Sequence, residues 1–401
     1  MPPLTSTGRT FAPPVMEARR WLDGVTHPED RPLINVSQAA PVDPPPEALR
    51  RAMADIAINT PEAHLYGPVL GLPALRAELA AQWSASYGGE VRADQVAITS
   101  GCNQAFAATI SAIAEPGDAV ILPTPWYFNH KMWLDMASVE AVPLPTGPDL
   151  LPDPARAEAL ITDRTRAIAL VTPNNPAGTE YPADLVLAFF KLAQRRGIKL
   201  IVDETYRDFH SQTGAPHPLF QQPAWDATLV QLYSFSKAFR LTGHRVGAVV
   251  TAPDLLAETE KFLDTVAICP SQLGQHAALW GLQNLGEWLA GERLEILDRR
   301  AAIEAQMPLL ADRGWHLRSC GAYFAFMQHP FAMSSAELAP KLVRDAGILA
   351  LPGTMFVPDG DPSGARHLRI AFANLDARGI TTLFERLAGL RFSLAPSGTG
   401  H

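Results

Sequence analysis

Short apolar runs and helix-spaced apolar positions take turns along much of this 401-residue chain. Runs rich in Val, Ile, Leu and Ala at 96–99, 119–122, 167–171, 199–202, 228–233 and 246–251 have the length and near-continuous apolarity of strands covered on both faces. Between them, apolar residues return every three or four positions over 102–113, 128–136 and 183–196, the period of a helix with one buried side. Such alternation predicts an α/β fold, a mostly parallel sheet sandwiched by helices. Ahead of it, helices are expected over 15–22, 46–57 and 72–87, and prolines at 41, 44, 45 and 46 favour an extended run over 33–43. Beyond Ala252 helical spacing runs through 255–266, 272–289 and 292–311. Strand-like 323–327 and 368–373 follow, with helices over 335–345 and up to about 390, and 393–401 reads as a frayed tail. The expected division is a large domain over 46–285 and a smaller α+β domain built from both chain ends, 1–45 plus 286–401.

Composition narrows the class. Apolar residues make up 47% of the chain and charged residues 18%, a globular composition with ample material for a core. The net charge of −8 and the scatter of the basic residues speak against nucleic acid or an anionic membrane as partner. No apolar run reaches the roughly 18 residues of a membrane span. The opening Met1-to-Thr7 stretch lacks the basic-then-apolar signature of a secretory signal. Cys102, Cys269 and Cys320 lie far apart, without metal-type spacing or a disulfide framework. A reducing, cytoplasmic address and no metal are expected.

The chemistry concentrates where strands end. Ser234-Phe235-Ser236-Lys237 follows the run at 228–233, at the edge where an open α/β sheet presents reactive groups. A lysine held away from water loses its proton and condenses with a carbonyl. Ser234, Ser236 and Arg245 are suitable ligands for a phosphate. Lysine plus phosphate site points to pyridoxal phosphate. Four other strand ends can be set against that reading. At Gly101-Cys102-Asn103 a glycine turns the chain into a helix whose free N–H groups suit an anion, or form a plain strand-to-helix turn. Pro125-Trp126-Tyr127 offers aromatics to a planar ring, or to packing. Pro173-Asn174-Asn175-Pro176-Ala177-Gly178 reads as a turn, and an amide in it can hydrogen-bond a phenolic oxygen. Asp203, after apolar Ile201 and Val202, needs a partner such as a pyridinium nitrogen, with Tyr206 in reach of the neighbouring oxygen; a helix N-cap is its other use.

In this order, the glycine turn, the aromatic pair, Asn-Pro-Ala-Gly, Asp-Glu-Thr-Tyr and Ser-Phe-Ser-Lys with a later Arg resemble the fold-type I pyridoxal-phosphate enzymes, and more narrowly the class I/II aminotransferases. The likeness runs from Asn35-Val36-Ser37-Gln38 to Arg369. It implies an enzyme of amino acid metabolism or biosynthesis that passes an amino group from an L-amino acid to a 2-oxo acid, in two half-reactions through pyridoxamine phosphate. By the resemblance, Lys237 carries the cofactor as a Schiff base and shuttles the proton, and Asp203 keeps the pyridine nitrogen protonated. Tyr206 and Asn175 bond the ring oxygen, and Tyr127 stacks on the ring. Ser234, Ser236, Arg245 and the Gly101-Cys102-Asn103 turn take the phosphate. Two residues enter through the resemblance alone. Tyr66 matches a tyrosine lent to the partner subunit's phosphate, which implies a homodimer, and Arg369 matches the clamp on the substrate α-carboxylate.

The substrate is then expected among Arg369, Asn175 and Ala39. Ala39 and Ala40 stand where relatives carry a glycine near the substrate, so this pocket is narrowed or its backbone displaced. His130, Trp126 and Tyr323 are further candidates for the side-chain pocket, and no second arginine can be named for a dicarboxylate. Two other functions share the fold. A lyase or cyclase acting on an amino acid keeps every cofactor residue and differs only around Cα. A ligand-sensing regulator carries an added DNA-binding domain, and the 45 or so residues before the large domain show no basic helix-turn-helix pattern. A dinucleotide-binding dehydrogenase is disfavoured, since no Gly-x-Gly-x-x-Gly follows a strand.

Overall fold

Each expected strand run forms a strand or most of one, as a computed structural model describing residues 5–396 shows. Residues 1–4 of the opening stretch and 397–401 of the expected tail lie outside the described residues. In chain order the strands are β1 (Ile34–Asn35), β2 (Val96–Thr99), β3 (Ala119–Thr124), β4 (Glu140–Pro145), β5 (Thr165–Val171), β6 (Lys199–Asp203), β7 (Leu229–Ser234), β8 (Gly247–Val250), β9 (His316–Gly321), β10 (Phe324–Gln328), β11 (Ile348–Leu349), β12 (Leu351–Pro352) and β13 (His367–Ala371). Seven of them make one sheet in the order β2-β8-β7-β6-β5-β3-β4. β8 runs antiparallel to both its neighbours, and the others pair in parallel. The carboxyl ends of β2, β3, β5, β6 and β7 therefore open along one edge, the place a doubly wound sheet reserves for ligands.

The continuous apolarity of these strands has a direct cause, since both faces are covered. Leu200 and Val202 of β6 pack with Val186 and Phe189 of the helix Ala183–Arg196. Ile201, between them, packs on the opposite face with Phe106 and Ile110 of the helix Cys102–Ile113. Strand alternation thus sends neighbouring residues into two separate cores.

A second sheet, antiparallel, has the order β12-β13-β10-β9, and β1 pairs in parallel with β11. Residues near the two chain ends so meet: Ile34 and Val36 donate to the carbonyls of Gly347 and Leu349, and Ala371 donates to Val36. The long helix Gly286–Ala311 buries Ile296, Ile303 and Leu310 in the core of this second sheet. Between the two sheets Gly178, at φ +73°, lies so close that a Cβ would stand 2.5 Å from the Gly321 carbonyl oxygen and 2.6 Å from that of Phe324.

Some expectations are corrected. β4 and β9 escape the pattern because each is an edge strand: β4 holds two prolines, which its unpaired side accommodates, and β9 is largely polar. The helix expected over 272–289 ends at Asn284, and its successor begins at Gly286, a break set by two weak helix formers. The tail is pinned as far as it is described. Leu394 bridges to Phe331, Ala332 donates to Ser393, and Ala395 donates to Pro330. No helix among the described residues is long and apolar enough to cross a membrane.

Candidate active site

A cavity of about 320 Å³ opens at the carboxyl edge of the large sheet. Lys237 projects into it from the short helix Phe235–Ala238, which continues directly from β7. Ser234 caps that helix, its hydroxyl accepting from the Ser236 N–H at 3.2 Å. The Lys237 ammonium donates to the Ala39 carbonyl at 2.5 Å. Burial first, and then the positive charges of Arg245 and Arg369, push the lysine pKa down to about 8. The amine is therefore available uncharged only slightly above neutral pH.

Asp203 ends β6 beneath the same cavity. One of its oxygens accepts from the Thr205 N–H at 3.0 Å, and the other lies 3.2 Å from His130 Nε2. Burial alone would raise this carboxyl, but His130 and Thr205 outweigh it and hold Asp203 below the usual carboxylate range. His130 is itself fixed by stacking on Phe106, ring centroids 3.8 Å apart. At the opposite end Gly101, at φ +89°, starts the helix Cys102–Ile113, and a Cβ there would lie 2.1 Å from Arg245 Nη2. Glycine is what lets the guanidinium lie against a helix N-terminus. Arg245 also donates to the Ser236 hydroxyl at 3.3 Å. Three cations and one carboxylate face this cavity, a balance suited to anionic ligands.

Arg369 reaches the cavity from β13 of the second sheet. Its guanidinium is 5.2 Å from the ring of Phe324 and 5.1 Å from that of Phe356. It donates to Asn175 Oδ1 at 3.1 Å and to the Ser37 carbonyl, while its buried Nε has no partner. Burial lowers its pKa to about 10. An aromatic cradle and an orphaned buried donor are features of an arginine built to receive a carboxylate.

The sequence of residues 31–387 matches the model of the family described as aminotransferase class I and II. The chain belongs to the class I and II aminotransferases. An aspartate/prephenate aminotransferase of Thermus thermophilus is 29% identical over 85% of this chain and 86% of its own length. A valine–pyruvate aminotransferase of Mycobacterium tuberculosis is 29% identical over 91% and 93%. Among solved structures, the aspartate aminotransferase from Thermus thermophilus with maleate superposes with a TM-score of 0.86 at 25% identity, over 97% of this chain and all of that one. Class I and II aminotransferases generally depend on pyridoxal phosphate.

In this aminotransferase the cavity gathers Ala39, Cys102, Asn103, Tyr127 and Asn175 beside the residues already described. Tyr206 joins them, packed edge-on against Phe324. The Tyr127 hydroxyl donates to Asn103 at 3.2 Å and accepts from Asn129 at 2.7 Å, which fixes the plane of its ring. Of the two adjacent asparagines, Asn174 serves the turn, accepting from the Ala177 N–H at 2.9 Å, and Asn175 serves the cavity. Tyr66 stands apart at 81% exposure and contributes nothing to the cavity of its own chain. The side-chain pocket candidates are displaced. His130 lies under Asp203, Trp126 lines a separate small void beside it, and Tyr323 is buried against Tyr206 and Phe209. In their place Val15, Gln38, Phe128 and Asn129 line the cavity. Phe128 and Asn129 were within reach of sequence reasoning, as the first turn of the helix that follows Tyr127. Gln38 stands beside Ala39, which the sequence already set near the substrate, whereas Val15 carried no such signal.

Proposed function

We propose that the protein transfers an amino group from an L-amino acid to a 2-oxo acid, using pyridoxal phosphate held at Lys237 and alternating with pyridoxamine phosphate. The observation that carries this reading is the meeting, in one cavity, of a buried lysine lowered to about 8 with a buried arginine that keeps an unpartnered nitrogen. When bound, the cofactor supplies an electron sink for the pair left on Cα as its proton departs. The donor set suits that group. Asp203, kept ionised by His130 and Thr205, holds the pyridine nitrogen protonated. Asn175 and Tyr206 serve the ring oxygen, and Tyr127 covers the ring. Ser234, Ser236, Arg245 and the Gly101-Cys102-Asn103 turn receive the phosphate.

Lys237 Nζ then acts as base and acid. Its lowered pKa matches proton exchange near neutrality. Arg369 holds the α-carboxylate through a bidentate pair, oriented by Asn175 and the Ser37 carbonyl. Ala39, whose carbonyl meets Lys237, bounds the substrate beside it. Kinship leaves the substrate open, since the relatives named above act on different amino acids.

A homodimer that brings Tyr66 to the partner subunit's phosphate belongs to the same reading. Leu65, Tyr66 and Ile268 are exposed beside the contact between Gly67 and Cys269, an apolar surface suited to a second copy. Sedimentation at the 43.4 kDa of a single chain would remove this part. A cytoplasmic address belongs to the same reading, and so does the division into 46–285 and 1–45 plus 286–401, supported by the packing of Gly286–Ala311 on the second sheet.

The test is a panel of amino acids and 2-oxo acids added to the holoenzyme, with the cofactor absorbance followed. An amino donor is expected to convert the spectrum to the amine form, and a 2-oxo acid to reverse it over many turnovers. Pyruvate and ammonia released from a β-substituted amino acid without any 2-oxo acid would assign elimination instead.

A further inference from the structure

The chain leaving β6 faces two ways. Asp203 and Tyr206 line the cavity. Glu204 and Arg207, each one residue further on, turn instead to a buried polar cluster at the core that holds Trp83 and Tyr87. Strand alternation begins the division, since Glu204 continues the side of Val202 and Asp203 that of Ile201. Tyr87 ties the two ends together. Its hydroxyl donates to Glu204 Oε2 at 2.8 Å and accepts from Arg207 Nε at 3.0 Å. One side chain, at the end of the helix Pro73–Tyr87, thus grips the chain on both sides of Thr205 and Tyr206. The Arg207 guanidinium also lies 4.2 Å from the Trp83 ring and reaches Asp208 at 3.3 Å. Gln231 of β7 donates to the same Glu204 oxygen at 2.5 Å, and its own oxygen accepts from Trp83 Nε1 at 2.6 Å.

Stability is a poor reason for this cluster. Glu204, Tyr87 and Gln231 have no exposure to solvent, and the second Glu204 oxygen has no hydrogen-bond partner among the described residues. Burial would raise the Glu204 carboxyl, but His217, whose Nε2 lies 3.2 Å away, outweighs it together with Arg207 and Gln231. An ionised group is therefore kept in a dry interior. Buried ions of this kind are often replaced by apolar residues of like shape with no loss of stability. What they supply is geometry, because a charge that leaves its partner inside the protein forfeits its whole compensation.

We propose that Tyr87, Glu204 and Arg207 are positioning residues for the cofactor ring, clamping residues 203–207 so that the Asp203 carboxylate and the Tyr206 hydroxyl keep their places at its nitrogen and oxygen. None of the three lines the cavity. The proposal rests on the pyridoxal phosphate reading: the two polar partners of the ring are set from the far side of the sheet.

The test is a pH titration of the cofactor absorbance in the holoenzyme. A hydrogen bond from Tyr206 to the ring oxygen lowers the midpoint of that titration by favouring the unprotonated Schiff base at Lys237. In Tyr87→Phe, which removes only the hydroxyl, the midpoint is expected to rise by about half a unit or more. Release of pyridoxal phosphate is expected to quicken about fivefold in the same variant. Arg207→Lys, which keeps the charge and loses the Nε contact, should shift both readouts in the same direction. Glu204→Gln keeps an oxygen for Tyr87 and should shift them less than Glu204→Ala. Ile303→Val, a loss of packing in the second core, should lower the urea midpoint and move neither readout. Both readouts unchanged in Tyr87→Phe and Arg207→Lys overturn the proposal, as does an equal shift in Ile303→Val; amino transfer itself then stands. A wild-type holoenzyme whose spectrum responds to no amino donor overturns the amino-transfer reading, and this one with it.

Discussion

At the scale of single residues, the reactivity of Lys237 follows from its surroundings. Burial and two arginines disfavour its charged form, so the free amine is reached near pH 8 rather than at the ordinary lysine value of about 10.4. On the proposed Schiff base at Lys237, uptake of pyridoxal phosphate by cofactor-free protein needs that uncharged amine. Its rate is expected to rise with pH through a midpoint near 8, and Arg369→Ala, which removes a positive neighbour, should move the midpoint upwards. A wild-type midpoint near 10 would sink this account. Lys237, Asp203 and Asn175 were legible in the sequence because each stands at the end of an apolar run, where geometry leaves few alternatives. His130 was misplaced for a physical reason. Three residues into a helix that begins after Tyr127, it turns inward onto Phe106 and Asp203, and direction around a helix axis depends on a start point the sequence marks only approximately.

At the scale of elements, two short segments hold the site in shape. The loop after Lys237 contains Arg240 and Arg245 at φ 55° and 52°, conformations that cost a non-glycine residue about 1–3 kcal/mol. Arg240 is held there by a bidentate pair with Glu292 of the long helix Gly286–Ala311. The turn carrying Asn175 is fixed by the approach of Gly178 to the backbone of Gly321 and Phe324. Gly178→Ala should therefore lower stability by about 2 kcal/mol or more, from a strained φ and a backbone clash together. A urea midpoint within error of wild type would contradict this. The same turn sets Asn175 against Arg369, so the variant is also expected to raise KM for amino donors. Strands that bury both faces were readable from their apolar runs, whereas the edge strands β4 and β9 were not. An edge strand need satisfy only one neighbour, and prolines and polar residues erase its signature.

At the scale of the whole molecule, acid stability draws on two histidines at the second sheet that the proposed chemistry does not use. His329 is fully buried between Trp315 and Phe331, and neither ring nitrogen has a hydrogen-bond partner. Burial first, then Arg366, pushes its pKa down to about 3; burial likewise takes His367 to about 4. In the unfolded chain each titrates near 6.5. The unfolded state then binds more protons below that value, so stability is full above about pH 6.5 and declines as pH falls towards 4. For His329 the loss at about pH 5 amounts to about 2 kcal/mol. Urea midpoints measured at about pH 7 and about pH 5 should diverge in the wild type and diverge less in His329→Phe. Equal divergence in both would remove His329 as the cause. The extended segment 37–39 has an effect of another kind. Ser37 and Ala39 hold Arg369 and Lys237 from a single stretch of backbone, so the carboxylate clamp and the amine keep a fixed separation, with Asp203 and Tyr127 marking the ring side. Three fixed points define a hand. On the proposed assignment, a mirror-image amino acid that satisfies the clamp and the ring side must turn its Cα–H away from Lys237. Chiral selection in this enzyme then rests on two carbonyls two residues apart, near the opposite end of the chain from the arginine that one of them holds.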